Sequence, residues 1–197
     1  MAMNDRILNQ SVKKLSPDGS FRQELIHGQS VSKTTGNRWH NLIATNTAIA
    51  VGSRLSGKQA EIYINGMRVQ LRSNLICYPD VVIVSGTPLF TDQNCDVLRN
   101  PTIVIEIFSS ATNLTDKTQK LESYLAIESV KECLLLKADE MRAEHYARQN
   151  AKQWLYRIYD ERDDVISLDS VNCKLSLAEI YAQVNVKQAE LSSKAVN

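Results

Sequence analysis

The stretch Pro101-Thr-Ile-Val-Ile-Glu-Ile-Phe108 sets one carboxylate inside an otherwise apolar, β-branched run. Such a run reads as a central strand covered on both faces. In a strand, the neighbours of Glu106 on its own face are Val104 and Phe108. An unpaired buried carboxylate is costly, so Glu106 must meet a cation or take up a proton. A metal ion, a lysine or an arginine could each serve. The ordinary alternative to a functional site is a plain salt bridge.

A second run, Tyr78-Pro-Asp-Val-Val-Ile-Val84, has the same character and opens on Asp80. Pro79 is tolerated there because the first residue of a strand need not donate to the ladder. If the two strands are neighbours, Asp80 and Glu106 converge at one sheet edge. Two oxygen ligands that leave room for water and a substrate phosphate suit Mg²⁺. Otherwise Asp80 is a turn or strand-start residue.

Asp116-Lys-Thr-Gln-Lys120 opens a helix expected over 116–127, capped by Thr112 or Thr115. On its wheel Leu114, Leu121, Tyr124 and Leu125 share a face, with Lys117 and Lys120 along the edge beside Tyr124. A lysine so placed can lay its ammonium against the sheet and stabilise phosphorane-like charge. A solvated Asp116–Lys120 pair is the plainer reading. Glu24 alternates with Leu25 in a short strand and is either solvent-facing or part of the site. His40 opens the first helix, His27 lies in a turn and His145 in a late strand, with no zinc spacing among them.

The remaining elements follow from local pattern. Phe21–Ile26 is expected as a strand, ended by a His27-Gly28 turn. Residues 40–56 read as a helix, with Leu42, Ile43, Ile49 and Ala50 on one face. Ala60–Ile64 and Met67–Leu71 read as a hairpin closed by Asn65-Gly66. Cys133–Lys137 and Ala143–Arg148 form a strand pair, and Trp154–Tyr159 with Val165–Leu168 suggest a further hairpin. Ser176 and Glu179 form a capping box for a short last helix. The class is α/β (α+β mixed), with a mixed β-sheet flanked by helices and extra C-terminal strands. A flexible arm over 1–19, one domain over 20–185 and a tail over 186–197 are expected.

Composition narrows the partners. No run reaches the ~18 apolar residues of a membrane span, and Met1–Lys14 lacks the apolar core of a secretory signal. Four cysteines without a CxxC fit reduced thiols in the cytoplasm. A net charge of +1 argues against a histone-like nucleic-acid binder. Arg54, Lys58, Arg68 and Arg72 could form a modest basic stripe, or be ordinary solvated charges. The phosphate-loop motifs GxGxxG and GxxxxGK[ST] do not occur.

Glu24-Leu-Ile-x-Gly28, Pro79-Asp80-Val-Val, Glu106-Ile-Phe-Ser109 with Thr112, and Asp116-x-x-x-Lys120-x-x-x-Tyr124 occur in this order. Over roughly residues 20–182 the chain resembles the Uma-two family of restriction-endonuclease-like proteins of prokaryotes. That family lies within the PD-(D/E)-x-K nuclease superfamily. The resemblance implies a restriction-endonuclease-like sheet and metal-dependent hydrolysis of DNA phosphodiesters. Asp80 and Glu106 match the two acids that hold Mg²⁺ or Mn²⁺, with the carbonyl of Ile107 as a third ligand. Glu24 matches the upstream acid. The superfamily's lysine position, two residues after the second acid, holds Phe108 here. Lys120 of the following helix matches the replacement, with Lys117 as the fallback, and His40 and Tyr124 are expected to line the cleft. A homodimer is expected, since exposed hairpin edges invite pairing and two sites suit two strands. The competing expectation is a non-catalytic homodimeric binding or scaffold protein that keeps the fold.

Overall fold

The computed structural model describes residues 22–26, 29–33, 36–72, 75–91, 93–110, 112 and 114–186, with side chains from Gly36 onward except those of Arg72 and Asp116. The expected arm, the His27-Gly28 turn and the tail beyond Val186 lie outside the described residues.

The two apolar runs form the centre of a six-stranded sheet. Strand β6 (Val81–Ser85) lies antiparallel to β8 (Ile103–Phe108), and every residue of β8 is buried. Each fully buried valine or isoleucine here contributes ~1.5–3 kcal/mol. Strand β3 (Ala60–Ile64) pairs with β6 at one edge. On the other side β8 runs parallel to β9 (Glu132–Lys137), and the crossover that a parallel pair requires carries helix α2 (Leu114–Leu125). Strands β10 (Ala143–Asn150) and β11 (Gln153–Tyr159) complete the order β11-β10-β9-β8-β6-β3.

A second sheet has the order β2-β1-β5-β4-β7, from β1 (Arg22–Ile26), β2 (Gln29–Lys33), β4 (Arg68–Arg72), β5 (Leu75–Cys77) and β7 (Val97–Leu98). A hairpin of β12 (Val165–Leu168) and β13 (Cys173–Ser176), joined through a 3-10 turn at Asp169–Val171, stands apart.

Period-two alternation gives the main sheet two cores. Val81, Ile83, Ile103, Ile105 and Leu134 pack with helix α1 (Arg38–Leu55) and with the C-terminal Ile166 and Leu175. Val82, Val84, Val104 and Phe108 pack instead with Tyr124 of α2 and with Val69, Cys77 and Leu98 of the second sheet. Glu106 shares this face, as the strand pattern requires.

The mixed fold class is as expected, and several local expectations are corrected. Ala60–Ile64 and the strand after it do not form a hairpin, because β3 pairs with β6 while β4 pairs with β5 and β7. Of the two turn residues only Asn65 has positive φ, at 53°, whereas the type I′ turn that Asn-Gly favours needs it at both. The apolar β6 outcompetes the adjacent strand. Likewise β11 pairs with β10 and β12 with β13. Helix α1 buries Ile43, Ala44, Thr47, Ala48 and Val51, whereas Ile49 is 65% exposed. Small side chains let this helix lie close on the sheet, which turns Ile49 outward. Leu114, expected on the buried face of α2, is exposed in its first turn, and Thr112 bonds the Ser109 N–H at 3.2 Å. The capping box is present, with Ser176 and Glu179 bonding each other's backbone at the start of helix α3 (Leu177–Ile180).

Candidate active site

The β6–β8 register pairs Val81 with Ile105 and Val82 with Val104. Continued by one residue, it sets Asp80 opposite Glu106, and both are buried. Asp80 stands just before β6, where the chain passes from the second sheet into the main one. The Ile107 N–H donates to Asp80 Oδ2 at 2.8 Å. The Asn65 N–H donates to the Asp80 carbonyl at 2.8 Å.

Helix α1 supplies a further contact of Asp80. Asn37 caps the helix by accepting from the His40 N–H at 3.0 Å. That fixes the first turn and brings His40 Nε2 to 3.2 Å from Asp80 Oδ1. The ring lies so close to Gly36 that a Cβ there would stand 2.4 Å from His40 Cδ2. Glycine is required at this approach.

Helix α2 reaches Glu106 with two side chains one turn apart. The Tyr124 hydroxyl donates to Glu106 Oε1 at 2.5 Å, and Lys120 Nζ lies 3.8 Å from the same oxygen. Cys77 Sγ is 3.2 Å from the Tyr124 hydroxyl. Beneath them, burial and then the negative charge of Glu106 push the Cys133 thiol far up, so it is an inert floor residue.

The two helix lysines part company. Lys117 Nζ is 3.0 Å from both oxygens of Glu144 on β10 and passes over the Phe108 ring. Burial, then the Glu144 charge, raises the neighbouring Tyr146 phenol. Strand β1, which carries Glu24, pairs with β5 through Leu25 and Ile76, beside the segment leading into Asp80. The Glu24 side chain is outside those described. Three members of the suggested basic stripe are committed elsewhere: Arg54 to Glu179, Lys58 to the carbonyls of Val171 and Asn172, Arg68 to Asp96.

Two buried partnerships were missed in the sequence. One is His40–Asp80, whose only local signal is Gly36 four residues before the histidine. The other is His145–Glu132 at 2.7 Å on the opposite face, with the Ser170 N–H donating to Glu132 at 2.8 Å. Glu132 heads β9, a position the apolar run beginning at Cys133 conceals.

Residues 12–179 match the model of the Uma2 family, described as "Putative restriction endonuclease". The chain belongs to the Uma2 family. It is 30% identical over 135 residues to an uncharacterized protein of Synechocystis, sll1609, covering 68% of this chain and 76% of that one. A second uncharacterized Synechocystis protein, slr1290, is 22% identical over 162 residues, covering 81% and 83%. Among solved structures, a "putative nuclease belonging to DUF820" from Anabaena variabilis superposes with a TM-score of 0.73 at 18% identity, covering 92% of this chain and 98% of that one. The fold of this Uma2 chain is thus that of a nuclease-like mixed α/β protein.

Among the described residues of this Uma2 protein, no three His, Cys, Asp or Glu side chains gather as a ready metal cage. The donor set at the sheet end is still of the right kind for a hard divalent ion: two buried carboxylates in register, with a lysine beside one of them. No helix among the described residues is long and apolar enough to cross a membrane.

Proposed function

We propose that this chain is a metal-dependent endonuclease that hydrolyses DNA phosphodiester bonds at the end of strands β6 and β8. The observation that carries this reading is the opposition of Asp80 and Glu106 across two buried strands, with Lys120 at 3.8 Å from Glu106. Family membership and the nuclease-like neighbour support it.

Asp80, Glu106 and the carbonyl of Ile107 would hold Mg²⁺ or Mn²⁺, with Glu24 as a further acid. Such an ion supplies Lewis-acid polarisation of the phosphate and a more acidic water. The chain's own residues prepare the rest. Tyr124 fixes the Glu106 carboxylate by its hydrogen bond, and His40 with the Ile107 N–H fixes Asp80. Lys120 neutralises charge that develops on the phosphate oxygens, or orients the attacking water. Lys117, held by Glu144, supports the helix rather than the reaction.

All four cysteines are free thiols, in keeping with the reducing cytoplasm proposed as its compartment. A homodimer would offer one site per strand of a duplex.

A second reading has its own observation. Tyr124 and Lys120 already serve Glu106 within the protein, which suits a non-catalytic binding or scaffold protein as well. Titration calorimetry with Mg²⁺ and Mn²⁺ on wild type and Glu106→Ala separates the two. Binding heat lost in the variant, followed by cleavage of single- or double-stranded DNA, supports the nuclease. No heat from either folded protein would sink it in favour of the scaffold.

A further inference from the structure

We propose that this chain forms a two-fold dimer through β11, whose outer edge pairs antiparallel with β11 of a second copy about an axis at Tyr156. Strand β11 ends the six-stranded sheet, bonded to β10 on one side, and no described strand pairs with its other side. It is seven residues long. Leu155, Tyr156 and Ile158 are 37%, 46% and 43% exposed, and they lie on both faces of the strand.

Edge strands of monomers are normally guarded by charges, prolines or bulges. This strand has no proline and one charge, Arg157. The nearest irregularity lies in β10, between Arg148 and Asn150, next to the turn. Side chains of the strand are also held in place: the Tyr156 ring lies against Tyr146 with centroids 4.9 Å apart and planes tilted by 36°, and Arg148 lies 4.2 Å over the ring of the half-buried Trp154.

The sequence of the strand selects a second copy as the occupant. In antiparallel pairing, opposed residues share a face, so allowed registers differ by two residues. Centring the axis on Tyr156 overlaps the whole strand. It opposes Tyr156 to its own copy, Trp154 to Ile158 and Leu155 to Arg157. Just beyond the strand it opposes Lys152 to Asp160 at both ends. The Asp160 carboxylate would exchange a 3.6 Å contact with Arg142 for this pair. Centring on Arg157 would oppose that charge to itself, and centring on Leu155 loses the Lys152–Asp160 pair. Pairing about an axis normal to the sheet keeps the same faces together, so the Glu106 sides of both copies lie on one side of a continuous sheet.

The test uses the full chain. Sedimentation should return twice the 22.2 kDa chain mass at micromolar protein. Tyr156→Lys sets like charges face to face on the axis and should weaken the dimer by roughly tenfold or more, with its circular dichroism unchanged. Tyr156→Cys, in a Cys95→Ser background, should give a disulfide-linked dimer on mild oxidation. Opposed Cα atoms in such a pair are ~4.5–5.5 Å apart, within disulfide reach. Ile49→Cys in the same background, on a different face, should not cross-link. A wild-type monomer overturns the proposal. So does a dimer that Tyr156→Cys fails to trap, because another surface then forms the interface.

Discussion

His40 Nε2 lies 3.2 Å from Asp80 Oδ1, which fastens the first turn of α1 to the end of β6. His40→Ala removes a partner from a buried carboxylate and is expected to lower stability by about 1–3 kcal/mol. Gly36→Ala should act in the same direction, since the new Cβ would displace the ring. The double variant should lose less than the sum, because both act on one contact. Urea unfolding of the three proteins measures this, and unchanged midpoints would mean the contact stabilises nothing.

Tyr124→Phe keeps the shape of α2 and removes the hydroxyl that donates to Glu106. Removing one donor from that buried carboxylate is expected to cost about 1–3 kcal/mol. Tyr124→Phe with Glu106→Ala forms the double-mutant cycle, since each change removes the bond. A coupling near zero would show that the bond is not made in solution.

The two lysines of α2 are expected to separate by phenotype. Lys120→Met should reduce DNA cleavage on the order of 10²–10³-fold if it stabilises transition-state charge. Lys117→Met leaves Glu144 without its ammonium partner, so it should lower stability and spare most of the cleavage rate. Plasmid nicking in Mn²⁺ alongside thermal melts reads both, and the reverse pattern would move the reacting lysine to Lys117.

Glu179 supplies a pH dependence. The Ser176 backbone hydrogen bond, then Arg54, hold its carboxyl below the ordinary value of 4.5. A depressed folded pKa gives stability that is present above the unfolded value and is lost as pH falls through the folded one. Its exposure limits the Arg54 share of the effect. Glu179→Gln should therefore lower the urea midpoint at neutral pH and converge with wild type at acid pH. A constant gap between the two proteins across that range would refute the assignment.

Thiol reactivity should follow burial. Cys95 is exposed, while Cys77, Cys133 and Cys173 are buried. One rapid equivalent of a thiol reagent is expected in native protein, and Cys95→Ser should remove it. Burial and Glu106 together hold Cys133 in its unreactive form.

The central strands were legible because burial on both faces leaves an unbroken apolar run, and Glu106 stood out against it. Its face followed from alternation alone. Long-range choices were not legible. Asn65-Gly66 is a hairpin signal read locally, yet β3 found its partner in β6, whose apolar residues come sixteen positions after the turn begins. The helical wheel put Lys117 and Lys120 on the same edge of α2. Only the arrival of Glu144 from β10 drew one of them away. His40 could be placed at a helix start, but its meeting with Asp80 depends on how α1 crosses the sheet. Ile49 was misplaced for a related reason: a helix rich in alanine and threonine has no single obvious buried stripe.

Asp80 occupies the short link between β5, in one sheet, and β6, in the other. Its carbonyl is held from the β3–β4 connection and its carboxylate from β8 and α1. The β6–β8 register brings the two acids together, whereas the groups that fix them come from elsewhere: α1 and the β3–β4 connection for Asp80, α2 for Glu106. During folding the pair forms with the main sheet and is held only once both helices have docked. A chain caught with the sheet formed and the helices loose would carry the two carboxylates face to face and still lack the fixed site.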